Sequence, residues 1–278
     1  MSFFAKFRSW NHKRLRTRSK KRDGTYKYSL AVLGIMKDES MNIDEWMSHY
    51  LAVGAEKIYL IDNGSTDQTV AKAQVWVEKG LLELIVRPQP YRQVAHYSAA
   101  VRRFNIIKTC KWLLIADLDE FWFCPDGASL AQKLEIFDDI DVIYANWRMF
   151  GSSGMQEHPK SIREKLVHCD PSLNIHGFTK YIVRTSALRK RRSIGVHKVR
   201  GADSRKVVSD NHNFHLNHYP IQSRDFFQSS KMQRGDVFWP QSNNVRDWEY
   251  YARFDAPCTQ ENRVLADLVI SGRLGKAD

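Results

Sequence analysis

Two aspartates one residue apart close the apolar run Trp112-Leu113-Leu114-Ile115-Ala116-Asp117-Leu118-Asp119-Glu120-Phe121. In an extended backbone side chains alternate, so Asp117 and Asp119 are expected on one side. Two carboxylates at that spacing suit one hard divalent cation, Mg2+ or Mn2+, with positions left open for diphosphate oxygens. Such a cation neutralises charge growing on a departing nucleoside diphosphate. An isolated pair of this kind is more often an acidic loop that caps a helix or meets an arginine. Here the pair ends a buried strand, and Asp62 and Asp67 follow another strand in the same way.

A second group is His212, His215 and His218, repeating every third residue like a zinc set. Helical spacing would stack them, but Pro220 and the flanking asparagines oppose a helix, and in a strand they would not share a face. His218 is then the single candidate, either completing the metal shell or touching diphosphate. His197 and Lys231 are further candidates for phosphate contact.

These residues need a frame, and the chain alternates strand and helix patterns. Tyr28–Met36, Lys57–Ile61, Leu81–Val86, Trp112–Ala116 and Asp141–Trp147 read as strands. Between the first two, Ile43, Trp46, Met47, Tyr50 and Leu51 recur at helical spacing, with Asn42 and Glu45 as a capping box and Gly54 as the stop. Ser65 with Gln68 marks a helix running to Gly80, and Gln93–Cys110 is predicted helical. Ser223 opens a later helix that Gly235 closes. Such a series predicts an α/β fold, a mostly parallel central sheet with helices on both faces, in which ligands sit at the carboxyl ends of the strands.

With 278 residues, 43% of them hydrophobic and 12% aromatic, the chain can build a sizeable core and is not wholly disordered. No apolar run is long enough for a membrane span or a secretory signal. The scattered Cys110, Cys124, Cys169 and Cys258 argue against a zinc knuckle or a disulfide framework and suit a reducing cytoplasm. The net charge of +12 is concentrated at the start, where residues 1–24 hold nine lysines and arginines against Asp23 alone. That distribution disfavours nucleic acid as the partner of the folded part. Phe3, Phe4, Phe7 and Trp10 beside those cations would suit an anionic membrane surface, and a solvated leader is the other reading of the same tail.

Five ordered stretches carry a resemblance: Ile35-Met36-Lys37-Asp38-Glu39-Ser40, Ile61-Asp62-Asn63-Gly64-Ser65-Thr66-Asp67, Leu114–Phe121, Asn146–Gly154 and Asn217–Ser223. The chain resembles the GT-A glycosyltransferases of family 2, and more closely the branch allied to glycosyltransferase family 92. The resemblance implies a GT-A catalytic domain over residues 25–240, after a basic tail of residues 1–24. A C-terminal extension, 241–278, would be packed on the domain or partly flexible. It implies an inverting, divalent-metal-dependent transfer of a sugar from a nucleotide-diphosphate donor to an acceptor hydroxyl. The acceptor would be a glycan or lipid-linked glycan in surface polysaccharide synthesis, and the enzyme cytoplasmic or peripheral on the inner face of the membrane.

By the same likeness Asp38 and Glu39 would lie by the nucleotide, and Asp62 by base or ribose. Asp117 would approach ribose or metal, and Asp119 would be the principal metal ligand. Inversion by direct displacement needs a base. The Glu-Asp pair usual after the metal motif of family 2 is missing here, which leaves Glu157, Asp170 and Glu120 as candidates. Two other readings compete. A nucleic-acid-binding protein would use the tail and Arg189–Arg192. A sugar nucleotidyltransferase would be expected to show a Gly-rich loop after the first strand, where this chain has Lys37-Asp38-Glu39.

Overall fold

The computed structural model of the protein describes residues 26–173, 177–188, 193–234 and 246–274. The basic tail, the run Arg189–Arg192 and Gly235 lie outside the described residues. The first half winds as β1 (Tyr28–Met36), α1 (Ile43–Ala52), β2 (Lys57–Asp62), α2 (Thr69–Glu78), β3 (Leu82–Val86), α3 (Gln93–Arg103) and β4 (Cys110–Ile115). Then come β5 (Glu120–Phe123), β6 (Val142–Met149), β7 (His168–Cys169), β8 (Thr179–Arg184), β9 (Val207–Ser209), β10 (His215–His218) and β11 (Gln260–Glu261).

The main sheet runs β3-β2-β1-β4-β8-β6-β10-β5, with β9 paired to β6. β3, β2, β1 and β4 are mutually parallel, as are β6 with β9 and β10, whereas β8 and β5 run against their neighbours. The α/β, mostly parallel sheet expected from the sequence is therefore present. The antiparallel members are β8, between β4 and β6, and β5, at the edge beside β10.

Strand alternation builds a core on each face. Leu30, Val32, Ile58, Leu60 and Leu114 face Trp46, Met47 and Tyr50 of α1 and Ala73 of α2. Ala31, Leu33, Tyr59, Ile61 and Leu113 face Tyr97, Ala100 and Val101 of α3. Both faces are buried, which is why these strands read as continuous apolar runs.

Gly34 allows β1 its closest approach to β4: a Cβ there would lie 2.9 Å from the Ala116 carbonyl oxygen and 3.0 Å from Leu60. The acidic turn that follows Ala116 is thus packed directly against β1.

The caps differ from the sequence expectation. Asn42 precedes α1 but makes no capping bond; its amide instead donates to Glu39 Oε2 at 2.7 Å. Glu45 is recruited across the chain, where it accepts from Ser161 Oγ (2.5 Å), the Ile162 N–H (2.9 Å) and Arg163 Nε (2.8 Å). It caps the short helix Ile162–Lys165 and neutralises a fully buried arginine, which outweighs a local capping box. Nor do Ser65 and Gln68 cap α2, since Asp67 Oδ1 accepts the Thr69 N–H at 2.9 Å. The predicted helix Gln93–Cys110 breaks at Asn105, which is left-handed at φ 54°. Ser223 does open its helix, accepting the Phe226 N–H.

Beyond residue 241, the helix Trp248–Asp255 joins Phe227 and Ile221 in a small cluster, and Leu265, Leu268 and Val269 of the helix Val264–Ile270 enter the core beside α1. No helix among the described residues is long and apolar enough to cross a membrane.

Candidate active site

The carboxyl ends of β1, β4, β6 and β10 and the amino ends of β5 and β8 meet at one sheet edge, as the pairing directions require. A cavity of about 450 Å³ opens there, with Asp117, Leu118 and Asp119 in its wall. The three residues are not extended. The Glu120 N–H donates to the Asp117 carbonyl at 3.0 Å and closes a turn, and Trp46 Nε1 donates to the same oxygen at 2.9 Å. Strand alternation therefore does not apply, and the two carboxylates diverge toward different lysines. This corrects the expectation of an extended backbone through Asp117 and Asp119.

Asp117 Oδ2 lies 2.6 Å from Nζ of Lys180, which is fully buried on β8. Lys180 Nζ is also 3.5 Å from Oε1 of Glu120, a carboxyl with no exposure at all. Burial pushes the Glu120 carboxyl well above its ordinary range; Lys180 opposes this, and the charges of Asp117 and Asp119 add to it. Burial works against the Lys180 ammonium, yet Asp117 and Glu120 raise it overall.

Asp119 Oδ2 lies 2.6 Å from Nζ of Lys231, which is itself 3.8 Å from Glu39 Oε1. Burial alone would raise the Asp119 carboxyl, but Lys231 and His218 hold it well below the usual carboxylate range. Lys231 ends a π-helical turn, Phe227–Lys231, and Arg234 three residues on binds Glu39 Oε1 at 2.6 Å. One helix thus presents two cations to the cavity, a spacing that puts them on one face.

His218 closes β10 opposite Glu120 of β5 and packs at a tilt against Trp147, ring centroids 4.2 Å apart. Its Nε2 is 3.5 Å from Asp119 Oδ1. Asp119, Glu120 and His218 offer ligand atoms all within 4.8 Å of one another. Glu120 Oε1 and His218 Nδ1 are buried with no hydrogen-bond partner among the described residues. Two carboxylates and an imidazole with unused polar atoms fit a divalent cation. This group contains Glu120 where the sequence suggested Asp117; Lys180 lies nearer Asp117 (2.6 Å) than Glu120 (3.5 Å).

The cavity also gathers Glu39, Lys231 and His197. Asp38 is left-handed (φ 50°) and its carboxylate accepts the Thr66 N–H at 2.7 Å, tying the first loop to the second. Asp62 is spent on the tight turn, accepting the Gly64 and Ser65 N–H groups, with Gly64 at φ 85°. Neither lines the cavity; Asn63 does. Glu157 is exposed and outside the cavity wall. Asp170 is buried, accepts the Ser172 N–H at 2.8 Å and is likewise outside it. In β10, His215 and His218 fall on opposite faces, while His212 sits in the turn that Asp210 closes.

Sequence reasoning missed Lys180, Arg234, Trp147 and Phe178. Lys180 had a visible signal, a lysine inside the otherwise strand-like Thr179-Lys180-Tyr181-Ile182-Val183. A buried cation in a strand needs buried acids nearby.

Glu120→Gln is expected to leave the metal-free protein as stable as wild type or more so at neutral pH. A carboxyl whose folded value is raised contributes stability below its unfolded value and loses it as pH rises toward the folded one. The variant's advantage should therefore vanish near pH 4 and grow above it. Melting curves across that range check the sign. A variant destabilised at neutral pH would show that Glu120 is ionised in the metal-free protein.

The glycosyltransferase family 92 model matches residues 27–262. A glycosyltransferase family 92 protein of Ricinus communis is 22% identical over 231 residues, covering 80% of this chain and 41% of its own length. Another, from Oryza sativa subsp. japonica, is 22% identical over 226 residues, covering 80% and 37%. The chain spans about two fifths of the length of these curated relatives. Among solved structures, S. aureus TarS 1–349 in complex with UDP-GlcNAc aligns at a TM-score of 0.44 and 17% identity, covering 68% of this chain and 58% of that one. The family match begins just before β1 and extends past β11, so it takes in the acidic turn, His218 and both helical cations; the chain belongs to glycosyltransferase family 92.

Proposed function

We propose that this domain transfers a sugar from a nucleotide-diphosphate donor to an acceptor hydroxyl, with inversion, using a divalent cation. The observation that carries the reading is the meeting of Asp119 and His218 with Lys231 and Arg234 in the wall of one cavity at the carboxyl edge of the sheet, with the fully buried Glu120 offering an oxygen within 4.8 Å of the Asp119 and His218 ligand atoms. Acids and an imidazole suit a cation, and the two cations beside them suit the oxygens of a diphosphate. When bound, the cation supplies positive charge to the leaving diphosphate, and imidazole among the donors favours manganese over magnesium.

The chain's own residues have separate tasks in this reading. Lys231 and Arg234 attract the diphosphate, and Glu39 orients Arg234. Lys180 holds Asp117 in place, with its remaining oxygen near Tyr97 Oη (3.4 Å) and Gln93 Nε2 (3.5 Å). In this reading the nucleoside lies toward Asn63 and Lys37, which line the cavity at the ends of β2 and β1, as ligands do in the crevices of open α/β sheets. A glycan or lipid-linked glycan is the acceptor we favour, with the basic tail bringing the domain to an anionic membrane surface.

The test is release of nucleoside diphosphate from a panel of sugar nucleotides, with manganese and then with excess chelator. The reading expects turnover of at least one donor that chelation abolishes. Turnover that persists in chelator would remove the metal from the proposal, and no turnover with any donor would remove the transferase.

A further inference from the structure

We propose that His197 is the general base that takes the acceptor proton, an assignment that rests on the transferase reading above. Among the described residues the cavity wall carries three carboxylates, and each faces a cation: Asp117 faces Lys180, Asp119 faces Lys231 and Glu39 faces Arg234. Each of these carboxylates has an oxygen engaged at 2.6 Å by an ammonium or guanidinium, so it is held in an ion pair and not presented to an acceptor hydroxyl. Glu157 and Asp170 do not reach the cavity wall. Of the two histidines that line it among the described residues, His218 belongs to the group that fits a metal, which leaves His197.

The ring of His197 is set for this work. Its Nδ1 lies 3.1 Å from the Thr179 carbonyl oxygen, which can only accept, so Nδ1 carries the hydrogen and Nε2 keeps the lone pair. The Thr179 hydroxyl returns a bond to the His197 carbonyl at 3.2 Å, so the two backbones are tied at the entry to β8. Among the described residues Nε2 has no hydrogen-bond partner. Trp147 stands edge-on to the ring at 5.3 Å and the half-exposed Phe178 lies at 5.2 Å, which fixes its plane. Burial lowers the ring to about 4, helped by Lys180 and His218 and opposed by Asp117 and the Thr179 bond, so the imidazole is neutral at physiological pH.

Sheet order gives the side. β2 and β1 lie on one flank of β4, and β8 and β6 on the other. With the nucleoside toward Asn63, the flank formed by Trp147, Phe178 and His197 is left for the acceptor, and aromatic faces suit the C–H edges of a sugar ring. In the step, the acceptor O–H bond breaks and its proton goes to His197 Nε2. The acceptor oxygen forms its bond to the anomeric carbon on the face opposite the departing group. The bond from that carbon to the diphosphate breaks, and its electron pair leaves on the phosphate oxygen.

His197→Asn can keep an N–H for the Thr179 carbonyl but cannot take a proton. The full chain is assayed for diphosphate release from UDP- and GDP-sugars with manganese, water serving as acceptor. Turnover should fall by about 100-fold or more, the usual range for a lost general base. Melting temperature and affinity for the free nucleoside diphosphate should stay at wild-type values. The residual rate should climb with pH, where the wild-type rate is flat, because hydroxide replaces the missing base. His197→Asn working within about threefold of wild type would overturn the assignment, since a general base contributes far more than that. Loss of nucleotide affinity in step with rate would overturn it too, by making His197 a donor-binding residue. A wild type that releases diphosphate from no donor overturns the transferase reading and this assignment with it.

Discussion

Asp119→Asn is expected to lower donor turnover by about 100- to 1,000-fold, because it removes the one charge that faces the proposed cation, Lys231 and His218 together. The variant should also be less stable without metal. The Lys231 ammonium is 1% exposed and lies 2.6 Å from Asp119, with Glu39 more distant at 3.8 Å. Removing the nearer charge leaves a buried cation poorly compensated. The loss is about 3 kcal/mol, at the low end for breaking a buried pair because the amide oxygen can still accept from Nζ.

The pH dependence carries the sign. A carboxyl held below its unfolded value contributes stability that is full above that unfolded value and is lost as pH falls through the folded one. Wild type should therefore lose this contribution in acid, whereas Asp119→Asn should lack both the contribution and its acid-side loss. Denaturant titrations at neutral and acidic pH check this. A variant as stable as wild type at neutral pH would mean that the Lys231 pair contributes nothing to the metal-free fold.

Lys180→Met is the second large effect, and it falls on the fold. Lys180 is fully buried between Asp117 at 2.6 Å and Glu120 at 3.5 Å. Without it the fully buried Glu120 and the partly exposed Asp117 share a site with no cation, at a cost of about 3 kcal/mol. Adding Glu120→Gln should recover part of that loss, since the amide removes the cost of folding with Glu120 protonated, a cost that grows once Lys180 no longer lowers that carboxyl. The two changes should thus be non-additive, as expected for residues in one network. Chemical denaturation of the two single variants and the double variant measures it. A double variant less stable than Lys180→Met would contradict the account of Glu120 as a carboxyl that resists ionisation.

The sheet was legible wherever both faces of a strand are buried. β1 and β2 announce themselves as apolar runs ending in Met36 and Asp62, and β4 ends where the acids begin. Less legible were features decided by distant partners. Asn42 and Glu45 have the right spacing for a capping box, but Ser161 and Arg163, more than a hundred residues later, take Glu45. The same holds for the site. The types in Asp117-Leu118-Asp119 pointed to a cation, yet local sequence could not tell an extended segment from a turn. Which cation each acid meets was fixed by Lys180 on β8 and Lys231 on a π-helical turn. Asp62 shows the opposite case, where the simple turn reading suggested by Asn63-Gly64 is what its carboxylate does.

The most direct test of the central claim is a calorimetric titration of the full chain with nucleoside diphosphates, in the presence and absence of manganese. If Asp119, Glu120 and His218 hold the cation beside Lys231 and Arg234, at least one diphosphate should bind tightly with manganese. Chelator should weaken that binding by about tenfold or more, a loss of 1.4 kcal/mol or beyond. Asp119→Asn should bind as weakly with manganese as wild type does without it. Equal affinity with and without manganese in the wild type would contradict the account, and would leave the acids of the turn as partners of Lys180 and Lys231 alone.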